Sequence, residues 1–154
     1  MTSTFFHGSY DPVDVGTVMT GRGDAYENDW KHTDFYAVLE DNRPDGKLAH
    51  RDAVFLVDNV DDLDNAGAPT EFILEVSPSG PPSRHDMGWS SRISCLLSEG
   101  FAADSPHVKK AAAGYWSGEP FDHDSVWEYL VESVTVRACY PFGEAPEVAA
   151  SAPR

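Results

Sequence analysis

The alternation of hydrophobic and polar residues predicts a chain rich in β-strands. In 71–76, apolar residues alternate with two glutamates, which is the two-residue period of a strand that buries one face. The run AVFLVD at 53–58 is short and continuously apolar up to its last residue, as in a buried strand. The segment STFFHGS at 3–9 predicts a first strand that ends at Gly8. The segment 126–142, rich in β-branched and aromatic residues, predicts a strand pair or one kinked strand.

Two segments in the second half of the chain have the spacing of amphipathic helices. In 85–100, four apolar residues share one helical face, and Gly100 is a typical residue to end the helix. These four are Trp89, Ile93, Leu96 and Leu97. The next helix is predicted to begin at Ser105, whose side chain can cap it, with Pro106 in the first helical position. A shorter acidic helix is predicted to stop at Gly67.

The other segments contribute less to the fold class. Residues 9–24 are rich in turn-forming glycine, proline and aspartate, and 30–43 have a mixed periodicity that leaves helix and strand open. The predicted helices stand between strands without the regular alternation of a parallel sheet. The sequence therefore predicts an α+β fold, with a mostly antiparallel sheet and inserted helices.

Length and composition predict one domain with an acidic surface. The chain has 154 residues, of which 41% are hydrophobic, and this suffices for one packed core. We expect a single domain over 1–142 and a disordered tail over 143–154, where residues are small and prolines recur. The formal net charge of −15 argues against tight non-specific binding of nucleic acid, which needs a basic surface. Such acidity most often reflects a solvated protein surface. Adaptation to high salt and adaptation to a basic partner are the alternative explanations.

The cysteines and the apolar runs indicate a reducing compartment. Cys95 and Cys139 lie far apart in apolar or strand-like surroundings, so we expect two small core residues rather than a disulfide or a zinc site. The N-terminus lacks the long apolar run of a signal peptide. No segment approaches the roughly 20 apolar residues of a membrane span. A cytoplasmic protein without a membrane segment is expected.

Three short patches occur in an order that resembles a known enzyme family. They are Phe6-His7-Gly8-Ser9, then AVFLVD at 53–58, then EYLV at 128–131. This set resembles the ADP-ribosyltransferases of the histidine–tyrosine–glutamate type, which include the poly(ADP-ribose) polymerases and the diphtheria-toxin-like enzymes. The resemblance extends from position 5 to about position 140 but depends on these three patches. It implies a split antiparallel sheet, with NAD as co-substrate.

The resemblance also implies a set of site residues. His7 would bond the adenosine-side ribose, Gly8 the nicotinamide carboxamide, and Ser9 the nicotinamide ribose. A glycine after the histidine lets a ligand approach the backbone, because no side chain intervenes. Phe55 stands where the family has a tyrosine that stacks on nicotinamide, and it keeps the aromatic face without the hydroxyl. Glu128 would be the catalytic carboxylate, which stabilises the positive charge that develops on the ribose.

The implied function is mono-ADP-ribosyl transfer from NAD to an acceptor, with release of nicotinamide. The acidic charge makes a protein the expected acceptor rather than a nucleic acid, and a toxin-like role is among the possibilities. Attack by water would instead make the chain an NAD glycohydrolase. A catalytically silent module on the same fold, which binds NAD, ADP-ribose or a protein, is the alternative that Phe55 keeps open. An interaction protein with a basic partner is the third hypothesis.

Each residue also has a simpler explanation. His7 can be a strand-end histidine bonded to backbone, Phe55 a core residue, and Glu128, close to Glu132, part of a solvated strand face. On a strand, the residues on either side of Glu128 would point to the opposite face. Tyr115 and Trp116 could supply a second aromatic group to the site.

Other motifs are weaker. His85-Asp86 resembles a metal-binding pair but lacks further ligands at a recognisable spacing, and Asp86 suits the first turn of a helix. Arg22-Gly23-Asp24 matches an integrin-binding tripeptide, but turn-rich loops contain this tripeptide by chance. The acidic run 58–67 lacks the glycine and glutamate of a calcium loop. We therefore expect no metal site. Neither the phosphate-binding motif GxxxxGK nor the dinucleotide-binding motif GxGxxG occurs, so NAD would bind without a Rossmann fold.

Overall fold

The computed structural model of the protein describes residues 4–144, which form strands and helices in a mixed order. The strands are β1 Phe5–Ser9, β2 Val18–Thr20, β3 Val54–Leu56, β4 Phe72–Pro78, β5 Ser83–Asp86, β6 Trp127–Val131 and β7 Ser133–Pro141. The helices are α1 Asp24–Trp30, α2 Asp34–Asp41, α3 Asp62–Asn65, α4 Met87–Ser98 and α5 Pro106–Ser117. A single 3₁₀ turn, His50–Asp52, precedes β3.

The strands form two antiparallel sheets that meet at one point. The larger sheet has the order β1-β4-β7-β2, and the smaller one has the order β3-β6-β5. Between β1 and β3 there is one bridge, in which Phe6 and Val57 each donate a backbone N–H to the other's carbonyl oxygen. The predicted α+β class with antiparallel sheets is confirmed.

Two apolar clusters pack against the smaller sheet, one on each face. Residues from both sheets build the first cluster: Phe5, Val54, Leu56, Leu74, Val76, Val131, Val134 and Val136. The second joins the sheet to α2, α4 and α5, and its buried residues include Val38, Ile93, Leu96, Val108, Ala112, Trp116 and Leu130. Alternate residues of β6 therefore point into different surroundings, as strand geometry requires.

The predicted helix boundaries are largely confirmed. The Asp86 side chain accepts a hydrogen bond from the Gly88 N–H at the start of α4, and Ser105 accepts one from Val108 at the start of α5. Gly67 and Gly100, which follow α3 and α4, have positive φ angles of 73° and 95°, a conformation that favours glycine. The undecided segment 30–43 contains α2.

Several sequence predictions need correction. The segment 126–142 forms two strands, but β6 and β7 belong to different sheets, with Glu132 between them. The sequence analysis missed β2, α1 and β5, because β2 is three residues long, α1 buries no residue, and β5 consists of polar residues. Polar strands lack the apolar alternation by which strands are recognised.

The cysteine prediction is partly wrong. Both cysteines are free, as expected, but Cys95 is exposed and Cys139 is only partly buried. The buried stripe of α4 passes through Ile93 and Leu96, and Cys95 lies beside it. Most of the predicted tail, 145–154, lies outside the described residues, whereas 142 and 143 form a turn. None of the helices in 4–144 has the length and apolarity needed to cross a membrane.

Close packing explains Gly8. A Cβ atom built on this residue would overlap the carbonyl oxygen of Pro69 and crowd Ala68. The glycine is therefore needed for the approach of the 68–69 loop, whereas the sequence analysis explained it by the approach of a ligand. Gly80, by contrast, has open space around its Cα.

We expect Gly8→Ala to destabilise the fold by about 3 kcal/mol, because the new methyl group must displace backbone at the sheet junction. Urea unfolding monitored by circular dichroism measures the loss. Gly80→Ala is the matched control, and it should change the free energy of unfolding by less than about 0.5 kcal/mol. Equal effects of the two variants would contradict the packing explanation.

Candidate functional site

The His7 side chain joins the first and second sequence patches. Its Nδ1 lies 2.8 Å from the carbonyl oxygen of Phe55. A carbonyl only accepts hydrogen bonds, so Nδ1 carries the proton. Burial lowers the pKa of His7, and a neutral ring with a proton on Nδ1 has an acceptor at Nε2. The backbone hydrogen bond expected in the simpler explanation is present, and it leaves one ring nitrogen for a ligand.

The backbone of Gly8 faces the gap between the two sheets. Successive residues of a strand direct their N–H and C=O groups to opposite sides. Phe6 directs both groups to Val57, away from β4. Gly8, two residues later, therefore directs its own groups to the same side, beyond the bridge where the sheets diverge. Among the described residues, Gly8 has no backbone partner outside the β1–β4 ladder.

The register of β3 and β6 brings Phe55 close to Glu128. Phe55 lies opposite Leu130, and Glu128 is two residues away on the same face of β6. Such diagonal neighbours are separated by roughly 7–8 Å. The Phe55 ring is half-buried and packs edge-on against His50, with centroids 5.0 Å apart. All three sequence patches therefore meet near the junction of the sheets.

Glu128 is a buried carboxylate with one hydrogen-bond donor. Only 5% of the residue is exposed, so the explanation as a solvated strand face is wrong. The Tyr115 hydroxyl donates to Oε2 at 3.0 Å. Burial raises the pKa of Glu128 to about 7, and the Tyr115 bond opposes this rise. No lysine, arginine or histidine in the described part of the chain forms an ion pair with it.

The two oxygens of the Glu128 carboxylate differ in their contacts. Oε2 accepts the hydrogen bond from Tyr115, whereas Oε1 has no hydrogen bond within the described structure.

A chain of hydrogen bonds continues from Tyr115 to the protein surface. The Tyr115 hydroxyl lies 2.8 Å from Nε2 of His50, and Nδ1 of His50 lies 3.1 Å from the hydroxyl of half-buried Tyr26. Burial lowers the pKa of His50 to about 3. His85 stacks on Tyr115 with ring centroids 4.7 Å apart, and burial lowers its pKa to about 4. Both histidines are therefore neutral at pH 7.

Sequence reasoning missed most residues of this hydrogen-bond chain. It named Tyr115 as a candidate aromatic group, but it gave His50 and Tyr26 no role and considered His85 only as a metal ligand. These residues have no motif spacing in common, since four separate elements supply Tyr26, His50, His85 and Tyr115. A histidine a few residues before a predicted buried strand, as His50 is before β3, was the available signal.

Helix α1 covers the aromatic face of the site. The Tyr26 ring lies 5.7 Å from the Phe55 ring, although no residue of α1 is buried. Ion pairs of Arg51 with Asp24 and with Glu27 hold the helix against the 3₁₀ turn. Tyr26 also hydrogen-bonds His50, and Glu27 accepts a hydrogen bond from the Tyr36 hydroxyl. The helix therefore covers Phe55 through polar and aromatic contacts, without a buried residue of its own.

The remaining predicted residues take local roles. The Ser9 hydroxyl donates to the Asp11 carbonyl oxygen and accepts from the Asp11 N–H, so it is engaged in a turn after β1. The neighbours of Glu128 point away from it, as predicted. Trp127 packs under the Arg84 guanidinium and Tyr129 donates to Asp58. Asp86 caps α4, and no three histidine, cysteine or acidic residues in 4–144 are placed to hold a metal ion.

Two surface depressions lie elsewhere. One, of about 370 Å³, is lined by residues that include Val60, Ile73 and Phe142. The other, of about 220 Å³, lies between α4 and α5 beside Trp89. The candidate site is a group of side chains beneath α1 and is separate from both depressions.

Comparisons with protein-family models, with curated proteins and with solved structures find no significant match. The functional argument accordingly depends on the residues and on their geometry.

The raised pKa of Glu128 predicts a pH-dependent stability difference between wild type and Glu128→Gln. The folded state holds the proton more tightly than the unfolded state, so this carboxyl stabilises the fold below about pH 4.5, and the contribution is lost as the pH rises through about 7. As the pH rises between these limits, the free energy of unfolding of the variant should increase by about 3 kcal/mol relative to that of wild type.

Urea unfolding of both proteins at a series of pH values measures this difference. Comparing the two proteins removes the opposite contribution of the neutral buried histidines, whose pKa values are lowered. Glu132→Gln, which changes an exposed carboxyl, should show no such trend. A flat difference for Glu128→Gln would contradict the environment described for Glu128.

Proposed function

We propose that this chain is an ADP-ribosyltransferase that cleaves NAD and transfers ADP-ribose to an acceptor, a protein rather than a nucleic acid. One observation carries the proposal. His7 and Glu128 come from distant parts of the sequence, and both lie close to Phe55 beside the bridge between the sheets: His7 bonds the Phe55 carbonyl oxygen, and Glu128 shares its face of the smaller sheet. The split arrangement of the sheets is compatible with the fold of the family that the sequence resembles. The finer fold assignment is part of the proposal.

The geometry suggests how NAD is held. The outward N–H and C=O of Gly8 can pair with the C=O and NH₂ of the nicotinamide carboxamide, which has the complementary pattern. The partly exposed face of Phe55 can stack on the nicotinamide ring. Nε2 of His7 can accept a hydrogen bond from the adenosine-side ribose. These three groups would fix the dinucleotide with its glycosidic bond near Glu128.

Glu128 supplies the charge that the reaction needs. Cleavage breaks the bond between C1′ of the ribose and the nicotinamide nitrogen, and the bonding electrons leave with nicotinamide. The ribose then carries positive charge, which a carboxylate bonded to its 2′-hydroxyl through Oε1 stabilises in a site of low dielectric. The acceptor nucleophile forms the new bond to C1′ and loses its proton. If water takes this place, the product is ADP-ribose and the activity is NAD glycohydrolysis.

Charge and thiol state support the proposed acceptor and the proposed location. The formal net charge of −15 repels nucleic acid and favours a protein with a basic surface. The two free cysteines fit the reducing cytoplasm, where disulfides are rare. A cytoplasmic location therefore belongs to the same proposal.

A silent binding module is the second candidate, and the position of Tyr26 favours it. This side chain lies against Phe55, on the face where a nicotinamide ring would stack. If α1 stays closed, the site can bind a partner at its rim without cleaving NAD. Both candidates predict NAD binding once α1 opens, but only the transferase predicts release of nicotinamide.

We expect wild type to release nicotinamide from NAD and Glu128→Gln to be slower by several hundred-fold, because the amide lacks the charge that stabilises the ribosyl cation. Chromatographic assay of nicotinamide, with and without cell lysate as a source of acceptor, measures the rate. Glu132→Gln is the control and should keep the wild-type rate. Thermal stabilisation by NAD without any release would favour the silent module, and absence of both would refute the proposal.

Phe55→Ala should weaken NAD binding about ten-fold, since stacking of aromatic rings contributes about 1 kcal/mol beyond the buried area. Phe55→Tyr introduces the residue of the enzymes that the sequence resembles and should bind NAD at least as well as wild type. Calorimetric titration of both variants on the Glu128→Gln background avoids turnover. Equal affinities of the alanine and tyrosine variants would show that Phe55 is only a core residue.

A further inference from the structure

The Tyr26–His50–Tyr115 chain has one permitted arrangement of protons while Glu128 is charged. Tyr115 has a single hydroxyl proton, which it donates to Oε2 of Glu128. Its oxygen must therefore accept the proton on Nε2 of His50. A neutral imidazole carries one proton, so Nδ1 of His50 accepts from the Tyr26 hydroxyl. Every donor in the chain points toward Glu128.

This arrangement matters because Glu128 has little else to stabilise its charge. It lies beside His85 from β5 and Tyr115 from α5, and His50 of the 3₁₀ turn and Tyr26 of α1 follow behind Tyr115. The two histidines are neutral at pH 7, and no ion pair reaches the carboxylate within the described structure. A hydrogen bond to a buried charged group stabilises the structure more than a hydrogen bond between neutral groups does. The Tyr115 hydroxyl is thus the main support of the charged form.

The same residues have a second arrangement that suits protonated Glu128. A proton from solvent binds the Tyr26 oxygen, the Tyr26 proton passes to Nδ1 of His50, the Nε2 proton passes to Tyr115, and the Tyr115 proton passes to Oε2. One proton is gained in total, and every O–H and N–H bond broken is replaced. All donors now point outward, and His50 has changed tautomer.

We propose that Tyr115 and His50 are positioning residues that hold Glu128 charged in one tautomer of His50, and discharge it through Tyr26 in the other. The proposal adds a regulatory property to the site, and it rests on the proposed function only for the catalytic consequence of that charge. The hydrogen-bond chain contacts Oε2 alone and leaves Oε1 outside it in both states.

The first test is a titration of Glu128 by NMR with ¹³C-labelled carboxyl groups, in the absence of NAD. Tyr115→Phe removes the donor and should raise the midpoint of Glu128 by about one to two pH units. Tyr129→Phe is the matched control, since this tyrosine lies next to Glu128 on β6 but donates to Asp58 on the opposite face. An unchanged midpoint in Tyr115→Phe would overturn the proposal.

The second test needs no substitution. ¹⁵N-labelled His50 in wild type should carry its proton on Nε2 at high pH and on Nδ1 below the Glu128 midpoint. The change of tautomer should follow the same titration curve as the carboxyl. A single tautomer throughout the titration would mean that Glu128 takes its proton directly on Oε1, and this would also overturn the proposal.

Variants of His50 separate positioning from packing. His50→Gln keeps an N–H donor for Tyr115 and should titrate nearly as wild type, whereas His50→Leu removes the donor and should raise the Glu128 midpoint. If the protein cleaves NAD, the acidic limb of its profile of kcat against pH should move with the titration midpoint of Glu128, and KM should stay constant. A purely structural role would lower kcat equally at all pH values, which would contradict the proposal.

The outcomes distinguish the two proposals. A shifted carboxyl midpoint without any cleavage of NAD would refute the proposed function and leave the hydrogen-bond relay intact. Cleavage that depends on Glu128, with an unshifted midpoint in Tyr115→Phe, would support the function and refute the relay.

Discussion

The hydrogen bond from Tyr115 to Glu128 is the interaction on which the site depends. It places a charged or chargeable group in the cluster between the smaller sheet and its helices, where 5% of Glu128 is exposed. A buried carboxyl without a cation is costly unless donors compensate. Tyr115 provides that compensation, and its own position is fixed by His50 and by the stacked ring of His85. The arrangement lowers stability at neutral pH, which is expected where a fold holds a functional group.

The meeting point of the two sheets determines what this carboxyl can act on. One bridge, between Phe6 and Val57, joins them. Beyond it the backbone of Gly8 turns into the gap, while the His7 ring bonds Phe55 from the other side. The loop at Pro69 fills the space that a side chain at position 8 would need. In the proposed function, the binding groups arise from strand alternation at this junction, which α1 covers through Tyr26 and the ion pairs of Arg51.

The sequence predicted those features that depend on local patterns. Helix α5 was predicted with its Ser105 cap, and α4 was predicted from apolar residues at helical spacing, although Asp86 caps α4 instead of lying in its first turn. Glu128 and His7 were proposed as site residues through short motifs, and their roles stay predictions. The sequence could not show that β6 and β7 join different sheets, because pairing is set by contacts between distant residues. For the same reason it could not assemble Tyr26, His50 and Tyr115, which neither periodicity nor motif spacing connects.

The central claim is that Gly8, Phe55 and Glu128 form one face for NAD at the sheet junction. A crystal structure of Glu128→Gln with bound NAD tests it most directly, since the variant slows cleavage and preserves the shape of the side chain. The account predicts the carboxamide on the backbone of Gly8, the nicotinamide ring on Phe55, and α1 displaced from both. NAD bound at another surface, or crystals in which Tyr26 still covers Phe55 at saturating NAD, would contradict the account.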